Sequence, residues 1–198
     1  MRILSVLMIL LLIVAFVACG TAKGRYDGED LDDDDDDNDD NDVSDDDVSI
    51  DDDDDDDAEK IDDFTWTDAD GNSVNLYDLE GNVILLNVGA GWCAGCREET
   101  PSLQSDIWEQ FQNDDFLLIQ LIVEDPEGNP ADQDYAATWR DEFGVTYTVC
   151  YDPGWSLQPY FTASTLPFSM LLDKQLGIRL QTHEYDADVY ALMIEDLL

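Results

Sequence analysis

Two cysteines three residues apart, Cys93 and Cys96 in Trp92-Cys93-Ala94-Gly95-Cys96, are the residues of this 198-residue chain best suited to chemistry. They follow an apolar run directly and open a segment with helical spacing. Thiols so placed can close a small disulfide. The amides and dipole of a helix start favour a thiolate on the first of them. The chemistry would be thiol–disulfide exchange, with Cys93 as the exposed nucleophile and Cys96, one turn deeper, as the resolving thiol. A purely structural disulfide or half of a zinc site are the plainer alternatives. Zinc would want a second ligand pair. The remaining cysteines, Cys19 and Cys150, do not form one, and the single histidine, His183, lies far along the chain from any cysteine. No metal and no cofactor is therefore expected. Cys150, inside an apolar stretch, reads as a buried and inert thiol, and His183 as a surface strand residue.

The elements around the pair can be read from periodicity. Val83 to Val88 is a continuous apolar run, as expected of a strand buried on both faces. Beyond Cys96, Leu103, Ile107, Trp108 and Phe111 recur at helical spacing, and Asn113-Asp114-Asp115 ends the helix. Phe116 to Val123 is a second buried strand, and Asp125 to Asp132 a polar loop. Asp132 to Phe143 reads as a helix stopped by Gly144, and Tyr147 to Cys150 as a short strand. Trp155 to Phe161 is a turn or short helix. Phe168 to Leu172 and Ile178 to Thr182 are strands joined at Lys174-Gln175-Leu176-Gly177. Asp186 caps a final helix whose expected apolar stripe is Val189, Leu192, Met193 and Leu197. Ahead of all this, Asp63 to Thr67 and Ser73 to Asn75 form a hairpin around Asp70-Gly71. Strands alternating with helices, then a hairpin and a helix, give an α/β fold with a mixed sheet.

The stretch from Leu86 to Pro101, with Asn87, Trp92-Cys93-Ala94-Gly95-Cys96, Arg97, Glu99 and Pro101, resembles the TlpA/ResA branch of the thioredoxin superfamily. The resemblance covers essentially 58–198. It implies a thioredoxin-like fold: a mixed central sheet flanked by helices, with an N-terminal β-hairpin and a central insertion helix near Trp139. It implies a redox-active Cys93–Cys96 disulfide and a Glu99 that tunes the site. It also implies a cis proline at Leu166-Pro167, with Trp92, Leu166 and Pro167 as the substrate-binding surface. Thioredoxin itself has a buried Asp where this chain has Asn87. Val88-Gly89 replaces the usual aromatic pair, which predicts a more open groove beside the cysteines. The direction common in such proteins is reduction of protein disulfides. Two alternatives stand beside it. A peroxiredoxin needs a Pro and a Thr ahead of its cysteine, where this chain has Leu86 and Ala90. A binding module would use the disulfide only structurally.

Asp and Glu number 49 against 8 Lys and Arg, for a net charge of -41, which excludes a phosphate-binding surface and with it nucleic acid. Of these 49, 22 lie between Asp27 and Asp57, a self-repelling run that cannot bury apolar surface. The N-terminus has one Arg and then an apolar run from Ile3 to Val17. This is short for a membrane span and fits a signal peptide. Its end, Phe16-Val17-Ala18-Cys19-Gly20, resembles a bacterial lipobox, with Phe16 where Leu is usual. The expected organisation is a lipoprotein signal peptide over 1–18, a lipidated Cys19 with an Asp-rich tether over 19–57, and the folded domain over 58–198. The expected location is outside the cytoplasm, anchored to a membrane by lipid. Protein thiols or disulfides would be the substrates, a membrane or extracytoplasmic electron donor the partner, and the domain a monomer.

Overall fold

The computed structural model describes residues 58–198; the signal peptide, Cys19 and the tether expected over 1–57 lie outside the described residues. The sheet is formed by β1 (Thr65–Asp68), β2 (Ser73–Asn75), β3 (Val83–Gly89), β4 (Phe116–Ile122), β5 (Thr148–Tyr151), β6 (Phe168–Leu172) and β7 (Ile178–Thr182). Their spatial order is β2-β1-β5-β4-β3-β6-β7. β3 pairs parallel with β4 and β4 with β5, while β6 runs antiparallel to β3 and β7 to β6. The expected mixed α/β sheet and opening hairpin are present. β5 begins one residue later than the sequence suggested.

Every residue of β3 is buried. A strand buried at consecutive positions is covered on both faces, which is why it reads as an apolar run interrupted only by Asn87. The helix after the cysteines is α1 (Ala94–Ser102). It continues through a π-helical turn over Leu103–Trp108 into α2 (Glu109–Phe111). Pro101 lies inside α1 and has no amide proton to give to the preceding turn. The irregular turn follows it directly, and Leu103 and Ile107 still reach the core.

α3 (Gln133–Phe143) is capped by the Asp132 carboxylate, which accepts from the Tyr135 amide at 2.9 Å. It ends at Gly144, whose φ of 62° suits glycine. The last helix, α4 (Ala187–Leu197), begins at Asp186 as expected, with the carboxylate accepting from the amides of Asp188 and Val189. Its buried stripe differs from the expectation. Tyr190 and Ile194 face the core, whereas Val189 and Leu192 are exposed. The helix is apolar nearly all round, so spacing alone leaves its rotation open.

Candidate active site

Cys93 stands at the end of the loop from β3 and caps α1: its Sγ accepts the Cys96 amide at 3.1 Å. The two cysteines are joined as a disulfide, with Cα atoms 5.3 Å apart. Both are nearly covered, Cys96 more so than Cys93. The close approach of β3 to the pair depends on Gly89, where a Cβ would lie 3.2 Å from Cys96 Cβ and 3.6 Å from its Sγ. The space freed by Gly89 is thus filled by Cys96. Gly91 is more constrained still. A Cβ on it would come within 2.3 Å of Tyr135 Oη and 2.5 Å of the Pro126 nitrogen.

The Leu166–Pro167 peptide is cis, as the resemblance implied. Pro167 Cδ lies 3.5 Å from where a Cβ on Gly95 would be, so the proline sits against the loop between the cysteines. On one side of the pair, Trp92 is half exposed and donates through Nε1 to Glu124 at 2.6 Å. It forms one wall of a cleft of about 390 Å³, whose others include Trp155, Phe161 and Leu166. Trp155 holds a left-handed backbone, φ 53°, unusual for an aromatic residue. On the other side, Glu99 shares a shallow depression with Gly95, Glu98, Pro167 and Tyr185.

Glu99 is almost fully buried and accepts from Asn87 Nδ2 at 2.9 Å. Burial pushes its carboxyl up to about 7, and the Asn87 hydrogen bond only partly opposes this. A group titrating there can hold or release a proton near neutral pH. Arg97, the basic residue after the second cysteine, turns away: it pairs with Glu142 and lies over the rings of Trp139 and Phe143. Cys150 is buried in β5, as expected, and burial raises its thiol to about 12.

Two residues to which no site role was assigned from the sequence hold this site together. Gln120, in the middle of buried β4, donates to Asn87 Oδ1 and Thr100 Oγ1, both at 2.9 Å. Its carbonyl accepts from Trp139 Nε1 at 2.9 Å and Tyr147 Oη at 3.0 Å. The signal was a lone amide inside Phe-Leu-Leu-Ile-Gln-Leu-Ile, where a buried polar group requires partners. His183 is the second, and it corrects the expectation of a plain surface strand residue. It follows β7, half-buried against Phe161 and Phe168. Its Nε2 accepts the Ala163 amide at 2.9 Å, which places the ring proton on Nδ1, 3.1 Å from the Pro167 carbonyl. One ring therefore ties both ends of the loop that carries the cis proline. Nothing in the sequence spacing links His183 to that loop.

Among the described residues, no group of acidic, histidine or cysteine side chains is arranged to hold a metal ion. No helix among them is long and apolar enough to cross a membrane.

A Cys-x-x-Cys disulfide at the start of a helix, faced by a cis proline just ahead of the neighbouring strand, defines a thioredoxin-fold protein of the disulfide-bearing kind. The chain belongs to the AhpC/TSA family, whose model matches residues 58–181. Within it the TlpA/ResA likeness holds. The chain is 26% identical over 111 residues to the thiol-disulfide oxidoreductase ResA of Bacillus thuringiensis, a match covering 56% of this chain. The chain spans 60% of the length of that relative. Among solved structures, a thiol:disulfide interchange protein of the thioredoxin family from Chlorobium tepidum superposes with a TM-score of 0.60 at 16% identity, covering 71% of this chain and 96% of that one. A DsbF homologue from Corynebacterium diphtheriae gives a TM-score of 0.60 at 24% identity, covering 71% and 87%. These last two share the fold.

Proposed function

We propose that the chain catalyses thiol–disulfide exchange with protein substrates through Cys93 and Cys96, working as a reductase. The observation that carries this is the disulfide itself. Its first sulfur caps α1 and accepts the Cys96 amide, so the same contact would stabilise a Cys93 thiolate once the bond opens. The cis proline against Gly95 and the cleft beside Trp92 supply a surface on which an extended substrate can lie. The name of the ResA relatives agrees with this activity. In the reduced enzyme Cys93 attacks the substrate disulfide, Cys96 then attacks the mixed disulfide, and Glu99 exchanges protons with the cysteines as they open and close.

Peroxide reduction is the alternative brought closest by the family match. The positions that would serve it ahead of Cys93, Leu86 and Ala90, are both buried and apolar. Trapping separates these readings. Cys96→Ser should accumulate a mixed disulfide on Cys93 with a protein substrate such as reduced-and-reoxidised insulin, and Cys93→Ser should not. If neither variant traps and the unaltered chain does not reduce insulin, the exchange reading is wrong.

The location is part of the same proposal. The apolar run Ile3–Val17 ending at Cys19 supports a lipid-anchored protein outside the cytoplasm, with the Asp-rich segment as tether. Fatty-acid labelling that disappears in Cys19→Ser is the expected result; an unlabelled parent chain contradicts it.

A further inference from the structure

Resting on the exchange reading above, we infer that the disulfide substrate is cationic: a polypeptide segment rich in Lys and Arg around its cysteine. Residues 58–198 carry 27 Asp and Glu against 5 Lys and Arg. All five cations are held by carboxylates of the same domain. Lys60 pairs with Glu80 at 3.7 Å, Arg140 with Asp70 and Asp141 at 2.7 and 2.9 Å, Lys174 with Asp115 at 3.6 Å and Arg179 with Asp173 at 2.5 Å. Arg97, the cation next to the disulfide in sequence, is taken by Glu142.

Among the carboxylates not so paired, a few stand on either side of the substrate surface. The Glu124 carboxylate accepts from the Trp92 indole Nε1, and the loop bearing Asp125 and Glu127 packs its backbone against Gly91. Across the pair, Glu98 is exposed beside Gly95 and Pro167. The cleft itself is walled by rings and small polar side chains and carries no charged residue. An apolar or aromatic side chain fits the cleft, and cationic neighbours on the same segment meet the acidic rims. Such complementarity acts mainly on encounter rate, is screened by salt, and disfavours anionic competitors.

The reaction balances without a further reagent. The Cys93–Cys96 dithiol gives two electrons to one substrate disulfide. It becomes a disulfide itself, and two substrate thiols leave with the two protons.

Three small disulfides of different charge test this: cystamine, a dication; 2-hydroxyethyl disulfide, neutral; and 3,3′-dithiodipropionate, a dianion. The reduced full-length chain is oxidised by each at low and at high salt, and every rate is divided by that of dithiothreitol under the same conditions. At low salt the normalised cystamine rate should exceed its high-salt value by about tenfold. The dianion should show the opposite trend and the neutral disulfide little change. In Glu98→Gln/Glu127→Gln the cystamine salt effect should shrink. Normalised rates that ignore salt for all three probes overturn the charge inference while leaving exchange intact. An unchanged cystamine effect in the double variant overturns the assignment to these rims. Failure of all three to oxidise Cys93 and Cys96 counts instead against the exchange reading.

Discussion

Behind the disulfide, Gln120 has both ends of its amide bound to protein, and Asn87 links that hub to Glu99 and Ser169. In front of it, the loop from Ala163 to Leu166 is largely exposed and depends on His183 for its inward bonds. The interior has no buried side-chain polar atom left without a partner among the described residues. The outer loop meets solvent and an open cleft instead. A satisfied buried network fixes geometry, because every alternative arrangement leaves a polar group unpaired. A loop held at two points by one ring keeps its backbone in register while its outer side chains stay in solvent. The cysteines lie at the boundary, on the rigid side. The proposed exchange would use this division, with fixed sulfurs and an adaptable surface.

The sharpest way to break this comparison is to damage the interior. Gln120→Leu removes two donors and an acceptor shared among four buried partners. Each group left unpaired costs about 1–3 kcal/mol, so a loss of about 3 kcal/mol or more is expected in chemical denaturation. A loss below about 1 kcal/mol would mean that the network is replaceable and the interior is no more rigid than the loop.

Glu99 is where the two regions meet, and its effect on stability depends on pH. Its folded value is about 7 against an ordinary 4.5. Between those values the folded domain keeps a proton that the unfolded chain has lost, so stability falls as pH rises through this window and the full cost is present above it. Glu99→Gln removes the cost. In the oxidised domain it should be more stable than the parent by about 3 kcal/mol above pH 7 and equal to it below pH 4.5. Parallel stability curves from pH 4 to 8 would contradict the burial argument.

Much of this interior was visible in the sequence. The apolar run of β3, the alternation of strands and helices, the Asp132 and Asp186 caps and the Gly144 stop all follow from local rules, because burial and capping leave their mark residue by residue. The Cys93–Cys96 pair was readable because its chemistry is concentrated in a few adjacent residues, whereas the cis Leu166–Pro167 peptide was expected only from the family resemblance. What was missed depends on distance. His183 meets Ala163 and Pro167 only after β6 and β7 fold back. The rotation of α4 could not be read because Val189 and Leu192 are as apolar as the Tyr190 and Ile194 that are buried.

The outer region gives the smallest effect and the most specific one. His183→Phe keeps a ring against Phe161 and Phe168 but gives up the bonds to Ala163 and Pro167. About 1 kcal/mol of stability should go with them. The KM for a protein disulfide should rise by about threefold or more while turnover of a small disulfide stays unchanged, the split expected when binding rather than bond-making is impaired. Equal losses with both substrates would place His183 in the rigid half.

The division of labour between the two sulfurs is the core of the account, and differential alkylation of the reduced protein reads it directly. Iodoacetamide added across a range of pH, followed by peptide mass analysis, gives the rate at Cys93, Cys96 and Cys150 separately. The account predicts that Cys93 is modified first at neutral pH, Cys96 more slowly, and Cys150 hardly at all until the domain unfolds. Faster modification of Cys96 than of Cys93 would contradict it.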